Sequence, residues 1–175
     1  MRRKRSLLRG IVAGVAGGLA ASWVMNEFMV GPGQKLQKAA QSPEETQQQQ
    51  AHAEEPKEDA TMKAADRLVN TVSGGRHLSW EEKKKAGPVV HYAFGALMGG
   101  IYGGLAEYSS AVRSGFGTSF GGMLFGGADL FAVPALGLSA APKDQPATAL
   151  ISPFAAHIVY GVTTELVRRI VRAMV

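Results

Sequence analysis

The chain has 175 residues, 46% of them hydrophobic, with a net charge of +5 and a mean hydropathy of -0.00. It has no cysteine, which excludes disulfides, thiolate catalysis and cysteine-based zinc sites. Its 22 glycines follow no Gly-X-Y period, so collagen is excluded too.

The average hides a split. Residues 31–87 carry nine Lys or Arg against nine Asp or Glu, so the remainder is much more apolar and holds the whole excess of charge, mainly in "MRRKR" and "RRIVR". Basic residues placed in this way, with no aromatics between them, suit a membrane surface better than a nucleic acid.

In chain order, residues 1–9 are a basic terminus. Residues 10–30, "GIVAGVAGGLAASWVMNEFMV", supply the roughly 20 apolar residues that cross a ~30 Å hydrocarbon core, and are the first of four expected spans. A signal peptide is the alternative, with "RRKR" as its basic region and small residues at Gly18 and Ala20; the apolar run continues through Trp23, Val24 and Met25, which favours a span. Residues 31–60 read as a disordered polar linker, because "QSPEETQQQQAHAEEPKEDA", residues 41–60, is charged, low in complexity and free of aromatics, and is disordered or weakly helical.

Residues 61–87 follow as an amphipathic helix and a capping segment. Met62, Ala65, Val69 and Val72 recur at helical spacing, Gly74 and Gly75 end the pattern, and Ser79 with Glu82 forms a capping box for the next helix. The second span is 88–112 and the third 115–137. An outer turn, 138–148, leads to the fourth span, 149–172, and to a short C-terminus, 173–175. The bias of Arg and Lys towards the cytoplasm puts both termini inside, although Lys83, Lys84 and Lys85 run against that rule.

Lipid is as apolar as leucine, so membrane helices associate through close packing of small residues. Rows of that kind recur: Gly14 and Gly18 in the first span, Gly95, Gly99 and Gly103 in the second, Gly117, Gly121, Gly122 and Gly126 in the third, and Gly161 in the fourth. These are the expected helix-packing positions.

An ionisable group at membrane depth costs at least ~3 kcal/mol and faces a partner by default. Asp129 and His157 fall at the same depth below the outer face, which makes them expected neighbours, with Asn26, Glu27 and His91 completing an outer polar cluster. Near the inner face Glu107 and Glu165 have Arg9, Arg113 and Arg168 close in depth, for ion pairs or for snorkelling to the membrane surface. The outer cluster either fixes helix order or responds to protons. It has ligand types suited to a metal but no dense motif, so neither metal nor cofactor is expected. "GTSFGG" is not a G-x-S-x-G elbow, and no Walker or Rossmann pattern is present.

The segment "GPVVHYAFGALMGGIYGGLAEY", preceded by "ATMKAADRLVNTVSGGRHLSWEEK", resembles the YagU-like group of small bacterial inner-membrane proteins of unknown function. The likeness rests on His91, Tyr92, Phe94, Gly95, Gly99, Tyr102 and Gly103, covers about residues 60–172 and leaves out the glutamine-rich insert. The resemblance implies a multi-span helical fold and no defined activity. The expectation is an all-α, non-enzymatic inner-membrane protein, structural or stress-adaptive, acting through oligomerisation or within a larger complex. The alternative is a small proton-linked channel or transporter.

Overall fold

The structure, a computed structural model, describes residues 5–51 and 57–175, with the backbone alone at 48–50. Arg2, Arg3 and Lys4 of the basic terminus and residues 52–56 of the expected linker lie outside the described residues. Every regular element among the described residues is helical.

Helix α1, Leu7–Val30, starts at Ser6, whose side chain caps the Arg9 amide. It runs antiparallel to α5, Trp80–Ala106, and to α8, Ile151–Met174. The register with α5 is set glycine against glycine. A methyl group on Gly10 would stand 2.6 Å from the Gly103 carbonyl oxygen, one on Gly103 2.7 Å from the Gly14 Cα, and one on Gly99 2.7 Å from the Gly18 Cα. The adjacent Gly17 turns to the other neighbour, where a methyl would meet the Thr164 carbonyl oxygen at 2.6 Å. The Gly17-Gly18 pair therefore serves two contacts, because consecutive helical residues point about 100° apart. Helix α1 lies between α5 and α8, which touch each other at only a few side chains.

Helices α5 and α8 are consequently parallel, and the chain between them must travel back. It does so in pieces. A 3-10 turn, Ala111–Gly117, leads to α6, Thr118–Leu124, then to a π-helix, Phe125–Ala132, and a last turn, α7, Val133–Ala135. This leg runs beside α8 in the opposite direction, with Gly117 against Gly161, Gly121 against His157, and the Phe125 ring 5.4 Å from Phe154.

The expectation of four long spanning helices is therefore corrected to three. Among the described residues, Leu7–Val30, Trp80–Ala106 and Ala147–Met174 are long and apolar enough to cross a membrane. The third apolar stretch yields no such helix, because Gly115, Phe116 and Gly117 take positive φ (60°, 53° and 88°) and delay its start, and the π turn then breaks its α-helical run. By length and apolar composition the three helices mark a membrane protein. Helix α5 begins at Trp80, behind the capping box expected at Ser79 and Glu82, so the second span lies within a longer helix that carries Pro88 and ends at Ala106, and short 3-10 turns stand at Pro142–Asp144 and Ala147–Leu150.

The expected disordered linker is also corrected. Its described part forms α2, Pro32–Ala40, and α3, Pro43–Ala51. Each begins with proline at its first position, where the missing N–H is harmless. Ser42 and Glu45 form a reciprocal cap: the Ser42 amide donates to Glu45 Oε2 (2.7 Å) and the Glu45 amide to Ser42 Oγ (3.2 Å). Thr148 Oγ1 then donates to Glu45 Oε1 at 2.7 Å, tying α3 to the turn before α8.

Helix α4, Ala60–Ser73, is capped by Asp59 and closed by Gly74 in the left-handed region (φ 74°). Met62 and Ala65 are buried, with Met62 against the start of α5 at Gly87. Its anchor is Asp66, whose carboxylate accepts from His77 Nδ1 (2.9 Å) and the Leu78 amide (2.6 Å), with Lys83 Nζ 3.5 Å away. The His77 hydrogen bond and then the Leu78 amide hold this carboxyl below the ordinary aspartate range. A lowered folded-state pKa means the contribution is complete above the ordinary aspartate value and disappears as pH falls through the folded one. Amide exchange in Ala60–Leu78 is expected to stay slow from neutral pH to about 5, and to lose protection below about 4. Protection that persisted unchanged at still lower pH would show that Asp66 is not the anchor.

Candidate functional site

Two polar layers lie between the helices. The deeper is built on Glu165, whose side chain is fully buried. Glu165, Arg168, Arg169 and Arg172 are spaced i, i+3, i+4 and i+7 on α8, so they project from one side of the helix. The Glu165 carboxylate accepts from Arg168 Nε (2.7 Å) and Nη2 (3.0 Å), from Arg169 Nε (2.6 Å) and, across the bundle, from Tyr102 Oη (2.8 Å). The Tyr102 ring stacks on Phe120 at 4.5 Å, and the Arg169 guanidinium lies 4.5 Å above the Phe116 ring. Among the described residues Phe116 is the non-glycine residue with positive φ, a conformation a bulky side chain avoids by ~1–2 kcal/mol. Its cation-π contact offsets part of that.

One turn nearer the chain ends, Glu107 accepts from Arg172 Nε (2.8 Å) and Nη2 (3.0 Å), and its Oε2 also accepts from the Ser6 amide (3.0 Å). That carboxylate joins the start of α1, the end of α5 and the end of α8. The described parts of the chain nearest both termini thus lie at the same end of the bundle. Of the expected inner-layer residues, Glu107, Glu165 and Arg168 form these pairs; Arg9 and Arg113 do not, and are corrected to exposed positions flanking the layer. Arg9 sits on the outward side of the first α1 turn, and Arg113 on the turn that leaves α5. Their places are taken by Arg172 and Arg169. In the sequence Tyr102 stands out only within the motif that carries the family resemblance, although a buried tyrosine hydroxyl implies an acceptor.

The second layer holds Asp129, on the π-helix, and His157, on α8. His157 Nδ1 lies 3.4 Å from Asp129 Oδ2 and donates to the Pro153 carbonyl oxygen at 2.9 Å. The Phe125 ring covers the imidazole at 5.5 Å. His91 Nε2 points to the Ser22 carbonyl oxygen at 3.4 Å. Asn26 and Glu27 are corrected: both are exposed on the outer flank of α1, whose buried flank carries Ala21 and Ser22 instead. Among the described residues no three His, Asp or Glu side chains gather into a metal-holding group.

The glycines divide in the same way. Gly14, Gly18, Gly95, Gly99 and Gly103 meet across α1 and α5, and Gly117, Gly121 and Gly161 across the return leg and α8. Gly122 and Gly126 are corrected. A methyl on Gly122 would meet only Ile158 Cδ1, at 3.9 Å, and one on Gly126 would meet nothing within 4 Å. The row packed on α8 is Gly117 and Gly121, which continues four residues on with Phe125, so Gly122 and Gly126 lie about 100° round the helix from it.

A family described as "Protein of unknown function (DUF1440)" matches residues 32–166. The chain belongs to that family. The match begins with α2, spans the glutamine-rich stretch and ends just past Glu165. No curated protein and no solved structure matches the chain.

Proposed function

We propose that this protein is a non-enzymatic structural or stress-adaptive component of the bacterial inner membrane, related to the YagU-like group, with both termini in the cytoplasm. It works by rigid helix packing, by association with further copies of itself or within a larger membrane complex, and it binds no nucleic acid. The observation that carries this reading is the α1–α5 seam, where glycines allow two backbones to approach within the space a single methyl would fill. The polar side chains of the deeper layer are engaged with one another, which supports the rigid-scaffold reading. The open side of the return leg at Gly126 and Gly127 supplies the contact for a neighbour.

The test is oligomer size in detergent, measured by light scattering. Wild type is expected to be larger than a monomer, and Gly126→Leu to shift it to the monomer without lowering the unfolding temperature. A monomeric wild type would remove the association.

The Asp129–His157 pair favours a second reading, a proton-linked channel or transporter, since π turns often mark functional positions and a carboxylate and an imidazole 3.4 Å apart can pass a proton between them. In proteoliposomes this reading expects dissipation of a pH gradient by wild type, at least tenfold slower with Asp129→Asn or His157→Ala. Equal, negligible leak in all three would end it.

A further inference from the structure

At the end of the bundle where the chain ends meet, a cleft of about 540 Å³ opens over the deeper layer. Among the described residues five arginines line it: Arg5 before α1, Arg113 after α5, and Arg168, Arg169 and Arg172 on α8. Glu107 in its wall and Glu165 behind it are the carboxylates that answer them, so three positive charges remain in excess. Arginine presents a planar fork of donors that matches phosphate oxygens. Tyr108 and Ser110 add hydroxyls to the same wall.

A second, apolar groove of about 420 Å³ runs along the outside of α1 and α5 and ends at the same Tyr108. Its floor is formed by Gly100 and Gly104, which lie one position beyond the glycine row of the seam, and its sides by Ile11, Val15 and Leu97. From Ala96 to Tyr108 it covers about 18 Å along the helix, close to one leaflet's half of a ~30 Å hydrocarbon core. A cationic pocket at the end of an apolar channel of leaflet length has the two-part chemistry of one molecule.

We infer that this paired cleft and groove binds an anionic glycerophospholipid, its phosphate held by the arginines and one acyl chain lying over Gly100 and Gly104. Arg5 and Arg113, both exposed, provide the charge that attracts the headgroup; Arg168 and Arg172 are committed to Glu165 and Glu107 and shape the pocket. The inference rests on the membrane residence proposed above, goes beyond the structural role, and names a ligand class.

The experiment uses the full chain in a neutral detergent, titrated with dioleoyl phosphatidylglycerol, dioleoyl phosphatidylcholine or glycerol 3-phosphate, with unfolding temperature and native mass spectrometry as readouts. Phosphatidylglycerol is expected to raise the unfolding temperature and to remain bound, and the other two to do neither at equal concentration. The double variant Arg5→Gln/Arg113→Gln should unfold like wild type without lipid, yet bind phosphatidylglycerol about tenfold more weakly or worse. Gly104→Leu, which fills the groove, should weaken the lipid similarly. Equal binding of phosphatidylcholine, undiminished binding by the double variant, or equal protection by glycerol 3-phosphate, which marks a free-anion site, would each overturn the inference. A protein that stays folded and dissolved without detergent would instead defeat the membrane reading itself.

Discussion

Gly99→Leu is expected to abolish accumulation of folded protein in the membrane. Even the first carbon of that side chain would stand 2.7 Å from the Gly18 Cα and 2.8 Å from the Gly18 amide nitrogen, both backbone atoms that cannot rotate away. Overpacking a core ordinarily costs about 1–3 kcal/mol; here α1 must leave α5, so the loss exceeds that range. Gly100→Ala is the matched control, since its methyl meets a movable side-chain atom, Val15 Cγ2, at 3.0 Å. Yield and unfolding temperature in detergent decide the matter. Wild-type values for Gly99→Leu would mean that the seam does not hold the bundle.

Glu165→Ala is the second large effect, and its cause is electrostatic. Removing this carboxylate strands Arg168, whose side chain is 5% exposed, together with the Tyr102 hydroxyl. Breaking a buried pair from one side costs ~3–5 kcal/mol, chiefly because the surviving charge is left without compensation. The variant should therefore unfold far below wild type. Adding Arg168→Met should recover part of the loss, because a pair replaced by apolar groups no longer leaves a buried charge. If Glu165→Ala and wild type unfolded together, the deeper layer would contribute nothing to stability.

Which parts of this arrangement could be read from the chain depends on how local their causes are. The cap at Ser79 lies within three residues of its partner, and the glycine spacing of the first two long helices was visible as a four-residue recurrence. The same four-residue grammar was present in "SPEE", where Ser42 caps Glu45, but low complexity around it drew the reading towards disorder. The π-helix and the turn before it broke the expected third span: 115–137 as one span assumes an unbroken α-helix, and Gly115 lies outside it. Partners such as Arg172 for Glu107 and Tyr102 for Glu165 join residues more than sixty positions apart, so their pairing depends on α5 and α8 being parallel. Nothing local specifies that.

The central position of α1 has a consequence for biosynthesis. The helix emerges from the ribosome first, yet one of its two glycine flanks must wait for α8, which begins about 120 residues after α1 ends. At translation speeds of 5–20 residues per second this is on the order of ten seconds. Once α5 has filled the first flank, the Gly17 notch stays open until the last rod arrives, so nascent chains of this protein should be unusually dependent on an insertase or neighbouring chaperone that shields that gap.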